Sequence, residues 1–409
     1  MNILVGQSGG PTAVINSSLA GVIESAKSRG ADKIYGMRNG IVGLLDEKLV
    51  LLSEHFGSPL RIELLKRTPS SYLGSCRFKL PDASDETEIY DRIFSILQKY
   101  EIDQFFYIGG NDSMDTIAKL SNYAVSINSP IRFIGVPKTI DNDLLCTDHT
   151  PGYPSAAKYI AVVMKELIRD ATVYTTPSVL IVEIMGRNAG WLAASASLAK
   201  SEDCDGVDMI YLPEIPFNME DFLSKIKEIQ KRKPSVVIAV SEGIKTSDGR
   251  YVCELSNDLR NVDVFGHTSL SGTAYFLSNV VARELKVKSR AVELSTLQRC
   301  AGHLTSRTDI SEAYQVGGAA VKAACEGETG KIIGIQRISN DPYQSVTQIV
   351  DVHKVANFEK KVPLEWIADD GISMLPAFLQ YARPLIQAEL PPIFVDGLVT
   401  HINTVENLQ

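Results

Sequence analysis

No stretch of about 18 consecutive apolar residues occurs in the chain, so an ordinary membrane-spanning helix is not expected. Positive charge is not in excess either: 41 Lys and Arg stand against 49 Asp and Glu, a formal net charge of -8. A protein held to nucleic acid by phosphate contacts needs the opposite balance, so no nucleic-acid partner is expected. A small phosphorylated ligand is not excluded, because a few clustered cations can still make one cleft positive. The six cysteines show no CxxC spacing, which points away from zinc and disulfide frameworks and toward reduced thiols in a cytoplasmic protein. The opening MNILVGQSGG is too short an apolar run for a signal-peptide core and has no basic flank, so no secretory leader is expected. Low-complexity tracts and internal repeats are missing as well.

What is present is an ordinary globular composition, 44% hydrophobic and 22% charged over 409 residues, enough chain for two or three domains. A short apolar run, a Gly-rich or polar turn and a helical stretch recur. Ile3-Leu4-Val5 leads into residues 6–12 and a helix with Leu19, Val22, Ile23 and Ala26 on one face. Phe105-Phe106-Tyr107-Ile108 leads into Gly109-Gly110-Asn111-Asp112-Ser113 and a helix through Ile117 and Leu120. Residues 133–136, 179–184 and 236–240 are further runs of this kind, the second followed by a helix over 191–198. Strands this short and this apolar are buried on both faces, as in parallel sheets sandwiched by helices. The expected fold is α/β with more than one doubly wound, Rossmann-like sheet. Ligands of such sheets sit beyond the carboxyl ends of the strands, where every unusual polar motif of this sequence falls. A domain change is expected near Thr150-Pro151-Gly152-Tyr153-Pro154, and a C-terminal helical segment, broken at its prolines, after about residue 354.

Each motif has a chemical and a structural explanation. Gly6-Gln7-Ser8-Gly9-Gly10 can let backbone N–H groups approach an anion at a helix N-terminus, or can simply form a tight turn. In Gly109-Gly110-Asn111-Asp112-Ser113, Asp112 can ligate a metal or hold a lysine, while Asn, Asp and Ser equally suit a helix cap. Pro137-Lys138-Thr139-Ile140-Asp141-Asn142-Asp143 is harder to explain as structure, because a turn has no need of that charge density. A carboxylate there can take a proton from an alcohol attacking phosphorus, and a lysine can stabilise the transferring group. Met185-Gly186-Arg187 presents an arginine beside glycine, fit for a phosphate or a sugar oxygen, and Glu242 ends another strand as an acceptor for hydroxyls. Arg290 and Thr296-Leu297-Gln298-Arg299 supply further cations, which also read as a solvated basic face.

Taken together and in this order, these motifs resemble the phosphofructokinase family over residues 6 to about 334. The resemblance implies two similar α/β domains with the active site in the cleft between them. Residues 1–152 with a return over about 303–350 would bind the donor, and 153–302 with about 351–409 the sugar phosphate. It implies phosphoryl transfer to the 1-hydroxyl of fructose 6-phosphate with Mg²⁺, in a homodimer or homotetramer that lends one arginine to its neighbour. Asp141 matches the general base, with Lys138 and Asp112 beside it in the catalytic group. Gly10, Arg77, Gly110 and Lys138 match donor positions, and Asn111 with Asp112 the metal positions. Thr139, Ile140, Asp141, Met185, Gly186, Arg187, Glu242, Arg290, Thr296, Gln298 and Arg299 match substrate positions.

Where ATP-using relatives carry glycine, this chain carries Asp112 and Lys138, the pattern of the pyrophosphate-dependent branch. A carboxylate at 112 repels an α-phosphate, and Lys138 can meet the smaller anion. Gly36-Met37-Arg38-Asn39-Gly40, which matches the adenine-contacting loop, has no aromatic side chain to stack on a base. The chain departs from the family at Asn111, where ATP-dependent members have aspartate. It departs again at Thr296, in place of histidine or tyrosine, and at Ser178, in place of arginine. The expected activity is reversible pyrophosphate-dependent phosphorylation of fructose 6-phosphate. The alternatives are an ATP-dependent kinase of the same fold, a pyrophosphate kinase of another phosphosugar such as sedoheptulose 7-phosphate, and a binding protein that keeps the cleft without turnover.

Overall fold

Alternation along the strands explains the architecture. In the computed structural model, which describes residues 1–255 and 270–403, Ile3 and Val5 enter one apolar cluster while Leu4 enters another. Phe106 and Ile108 likewise part from Phe105 and Tyr107. A strand whose alternate side chains are all apolar needs cover on both faces, and helices supply it.

The strands, in chain order, are β1 (Asn2–Gln7), β2 (Lys33–Met37), β3 (Leu49–Leu51), β4 (Ile102–Gly109) and β5 (Arg132–Pro137). There follow β6 (Ser178–Ile184), β7 (Met209–Tyr211), β8 (Ser235–Ser241) and β9 (Lys288–Glu293), then β10 (Lys331–Asn340) and β11 (Tyr343–Asp351). The helices that matter below are α1 (Ile15–Ser28), α2 (Asn111–Ser126), α3 (Tyr153–Ala171), α4 (Thr273–Leu285), α5 (Arg307–Cys325) and α6 (Pro376–Ala382).

Contacts divide the chain into two units. The first comprises Met1–Ser155, Arg299–Glu359 and Leu385–Gln409. Its seven-stranded sheet runs β11-β10-β5-β4-β1-β2-β3, parallel from β10 to β2 and antiparallel at both edges. On one face α1 packs on α5 so closely that a methyl group added at Gly21 would lie 2.0 Å from the Tyr314 carbonyl oxygen. On the other, α2 buries Met114, Ile117 and Leu120. The second unit comprises Ala156–Gln298 and Lys360–Pro384, with a parallel sheet ordered β7-β8-β6-β9. Its core joins Val179, Ile181, Val236, Ile238 and Leu277. Among the described residues no helix is long and apolar enough to cross a membrane.

Three expectations need correction. Residues 351–409 do not travel together with the second half. Val352 and Val355 lie in the first unit's core, and Ser306 Oγ donates to the Leu385 carbonyl at 2.6 Å. Further along, the Ile402 N–H donates to Thr68 Oγ1 at 3.0 Å, while only 360–384 joins the second unit; residues 404–409 of that expectation lie outside the described residues. The C-terminal segment is also less helical than expected. Pro376 opens α6 rather than breaking a helix, since its fixed φ and missing N–H suit a first helical position. Around it lie 3₁₀ turns, and a short hairpin closes the described chain. Finally, the helix expected over 191–198 is α-helical only over Trp191–Ala194 and continues as a 3₁₀ turn. Ser195 and Ser197 donate back to the carbonyls of Trp191 and Ala194, and such bonding competes with an α-helical ladder.

Candidate active site

Lys138 is a buried charge at the carboxyl end of β5. It follows β5, is 3% exposed, and its Nζ donates to the Gly10 carbonyl at 2.6 Å. Burial pushes its pKa down to about 8, while the neighbouring Asp141, Asp143 and Asp112 act in the opposite direction. Arg299 completes the cluster: a methyl group added at Gly10 would lie 3.0 Å from its Nη1. Gly9 adopts φ +74, and a methyl group there would lie 3.3 Å from Lys138 Nζ. The two glycines therefore let two cations close on the backbone at the end of β1.

For this loop the sequence left both an anion-binding turn and a plain tight turn open. Its Ser8 and Gly9 N–H groups are spent within the protein, on the carbonyls of Ile108 and Cys76, and α1 does not begin until Ile15. Residues 6–10 thus seat Lys138 and Arg299. Ser75 Oγ donates to the Gly9 carbonyl at 2.6 Å, which fixes the loop that presents the exposed Arg77.

Asp141 keeps partial solvent access, yet the protein around it raises its pKa, against a hydrogen bond from Thr139 and the charges of Lys138 and Arg299. Thr139 Oγ1 donates to its carboxylate at 3.2 Å and accepts its backbone N–H at 3.1 Å. Ile140 is 5% exposed, so its side chain anchors the loop and leaves only backbone for a ligand. Asn142, which the motif alone did not single out, holds φ +55 and accepts the Thr150 N–H. Its signal was available, because asparagine is among the few residues that tolerate a left-handed conformation. Asp309 was also missed. It is fully buried, accepts the N–H groups of Gly152 and Ser155 at 2.9 and 3.0 Å, and burial pushes its pKa up to about 6. The Ser306-x-x-Asp309 pattern is a capping signature, and Ser306 Oγ does accept the Asp309 N–H.

At the end of β4, Gly109 and Gly110 pass directly into α2, with Gly110 as the residue before its first turn. Asp112 stands exposed in that turn. Asn111 neither caps the helix nor stands free beside Asp112. Its carbonyl oxygen accepts the Asn357 N–H and its amide donates to the Phe358 carbonyl, both at 2.6 Å. Asn111, expected beside Asp112 as a metal position, thus has its amide group tied to the backbone of Asn357 and Phe358. What remains fits Mg²⁺, a hard cation that takes one or two carboxylates and completes its shell with water and phosphate oxygens. Among the described residues, no group of three or more His, Cys, Asp and Glu side chains forms a closed metal cage.

The second unit forms its own cluster at the carboxyl ends of β6 and β8. Gly186, at φ +139, donates to Glu242 Oε1 at 3.3 Å, and Ser241 Oγ donates to the Gly186 carbonyl at 2.5 Å. A methyl group at Gly243 would lie 2.0 Å from the Arg187 carbonyl, so Met185, Gly186, Arg187 and Glu242 are held as one surface. Gln298, expected at a substrate position, is 2% exposed; it accepts the Met185 N–H and donates to the Ser295 carbonyl, and so braces the loop. Thr296 lies exposed nearby in sequence. The buried Glu183, not singled out from sequence, accepts the Ala274 N–H at the start of α4, and burial pushes its pKa up to about 8.

Arg290 and Arg299, both expected at substrate positions with one lent to a neighbouring subunit, belong to different units. Arg299 belongs to the cluster of Gly10 and Lys138. Arg290, on β9, lines a cavity of about 140 Å³ with Ser178, Lys288 and Tyr174. Its strand partner is Leu180, five residues before Met185, or about 16 Å along β6. It therefore faces the amino half of the sheet, away from the Met185 loop of its own unit.

Residues 2–324 match the family model described as Phosphofructokinase. A pyrophosphate–fructose 6-phosphate 1-phosphotransferase of Xanthomonas campestris pv. campestris is 42% identical over 405 residues, which cover 98% of this chain and 96% of that protein. One of Halomonas elongata is 39% identical, covering 97% and 94%. Among solved structures, a pyrophosphate-dependent phosphofructokinase from Nitrosospira multiformis aligns with a TM-score of 0.88 at 38% identity, covering 98% of this chain and 95% of its own. This chain belongs to the phosphofructokinase family.

Proposed function

We propose that the chain transfers a phosphoryl group reversibly between pyrophosphate and the 1-hydroxyl of fructose 6-phosphate. The observation that carries this reading is the buried Lys138, seated on the Gly10 carbonyl among Asp112, Asp141 and Arg299. A lysine that close to a carboxylate base suits a small, highly charged donor that needs a cation at the transferring group. In the forward direction, the sugar oxygen forms a bond to one phosphorus, the bridging P–O bond of pyrophosphate breaks, and phosphate leaves. Asp141 takes the hydroxyl proton, which its raised pKa favours. Lys138 and Arg299 stabilise the charge on the transferring oxygens. Asp112 would hold Mg²⁺ together with donor oxygens, and the metal when bound neutralises donor charge. The Asp112 carboxylate also disfavours an α-phosphate, which supports pyrophosphate over ATP.

Met185, Gly186, Arg187 and Glu242 offer the sugar end, braced by Gln298. Arg290 faces away from that loop, which supports a homo-oligomer, dimer or tetramer, in which it serves a neighbouring copy. The substrates and the reaction suit a cytoplasmic enzyme. The test is a donor panel of pyrophosphate, ATP and polyphosphate with fructose 6-phosphate and Mg²⁺. Turnover with pyrophosphate far above ATP is expected; equal turnover with ATP overturns the donor assignment.

A further inference from the structure

Asn357 lies 246 positions from Asn111 in sequence and against it in space. The chain leaves the first unit's core at Val355 and Ala356 and then turns outward, with Asn357 and Phe358 exposed. The hydrogen bonds that hold this stretch are few and polar. Asn111 takes the Asn357 N–H and gives to the Phe358 carbonyl, and Asn357 Nδ2 donates to Asp115 Oδ1 at 3.0 Å. Asn111 and Asp115 are the first and fifth residues of α2, so the stretch is tied down beside the opening turn of that helix. Gly110 and Asp112 flank Asn111 directly. Beyond the clamp, Glu359 comes close enough to Asp141 for its charge to raise that carboxyl.

Few side chains can make this clamp. It needs one acceptor and one donor on a short stem, which a carboxamide provides and a carboxylate does not. An aspartate at 111 would keep the bond from Asn357 and set a negative oxygen against the Phe358 carbonyl. Residues 357–359 stand beside that opening turn, whose N-terminus supplies positive potential for a phosphate.

We propose that residues 357–359 border the donor site beside the opening turn of α2, and that Asn111 is the positioning residue that fastens them. This rests on the donor assignment above. It adds a residue and a segment that act on donor affinity and on nucleotide exclusion without touching the reacting atoms.

The test uses the full-length enzyme with Asn111→Asp and, as a milder variant, Asn357→Ala, which removes only the bond to Asp115. The readouts are KM for pyrophosphate, KM for fructose 6-phosphate, kcat, and inhibition of pyrophosphate turnover by ATP. For Asn111→Asp, KM for pyrophosphate should rise roughly tenfold, the size of one lost and one repulsive polar contact, with KM for the sugar within twofold. ATP should begin to compete with pyrophosphate. Asn357→Ala should show the same split at roughly threefold, and it decides the matter if Asn111→Asp does not fold. An unmoved KM for pyrophosphate in the folded variants overturns the proposal. So does a parallel rise in both KM values, which would mark a general structural role. If the wild type proves to use another donor, the functional reading fails separately, and the KM split is read with the donor it does use.

Discussion

Replacing Lys138 by methionine separates what this residue does for catalysis from what it does for the fold. Methionine keeps most of the length and removes the charge. The lysine is 3% exposed, and burial moves its pKa from 10.5 down to about 8. At 1.36 kcal/mol per pH unit, that gap means the folded chain bears about 3 kcal/mol for a charged ammonium here at pH 7. Against this, the variant leaves the Gly10 carbonyl without its 2.6 Å donor, a loss of about 1–3 kcal/mol. The net expectation at pH 7 runs from no change to a gain of about 2 kcal/mol. Turnover with pyrophosphate should fall about 10²–10³-fold, the usual effect of deleting a donor aimed at developing charge. The pH dependence gives a second check. The folded pKa lies below the unfolded one, so between about 8 and 10.5 the unfolded chain binds more protons, and wild-type stability from this group rises with pH. Any advantage of Lys138→Met should therefore shrink across that window. Denaturant unfolding at pH 7 and pH 10, with a pyrophosphate assay, measures both. A loss of more than about 2 kcal/mol at pH 7, or turnover within tenfold of wild type, would refute the reasoning.

Asp141→Asn should lower kcat by about 10²–10⁴-fold with little change in either KM, read by steady-state kinetics; a variant that keeps most of its turnover removes Asp141 from the base role. His149 is buried between Asp148 and Glu312, with nitrogen–oxygen distances of 2.8 and 2.7 Å. Although burial alone would lower it, those carboxylates raise its pKa to about 9. Its folded pKa lies above the ordinary 6.5, so its stabilisation is complete below that value and is lost as pH rises through about 9. His149→Asn should cost about 3 kcal/mol at pH 6, in the range for breaking a buried ion pair, and much less at pH 10. A cost that does not depend on pH would show that the imidazole is neutral in the fold.

Local signals carry local structure, and this chain is legible where they suffice. Apolar alternation in residues 3–5, 105–108 and 133–136 requires strands covered on both faces, and the charge packed after Val136 singled out Lys138 and Asp141, which the fold does set close together. Partners distant in sequence were not legible. That Asn111 clamps residues 357–358, that Gln298 braces Met185, and that Asp309 holds Gly152 and Ser155 depend on which strands lie side by side and where the chain returns. The pattern of residues does not encode that order. The assignment of Arg290 and Arg299 to different units has the same origin. Nine positions apart in sequence, they lie on opposite sides of the point where the chain passes from one sheet's unit back to the other, and only tertiary packing sets where that crossing falls.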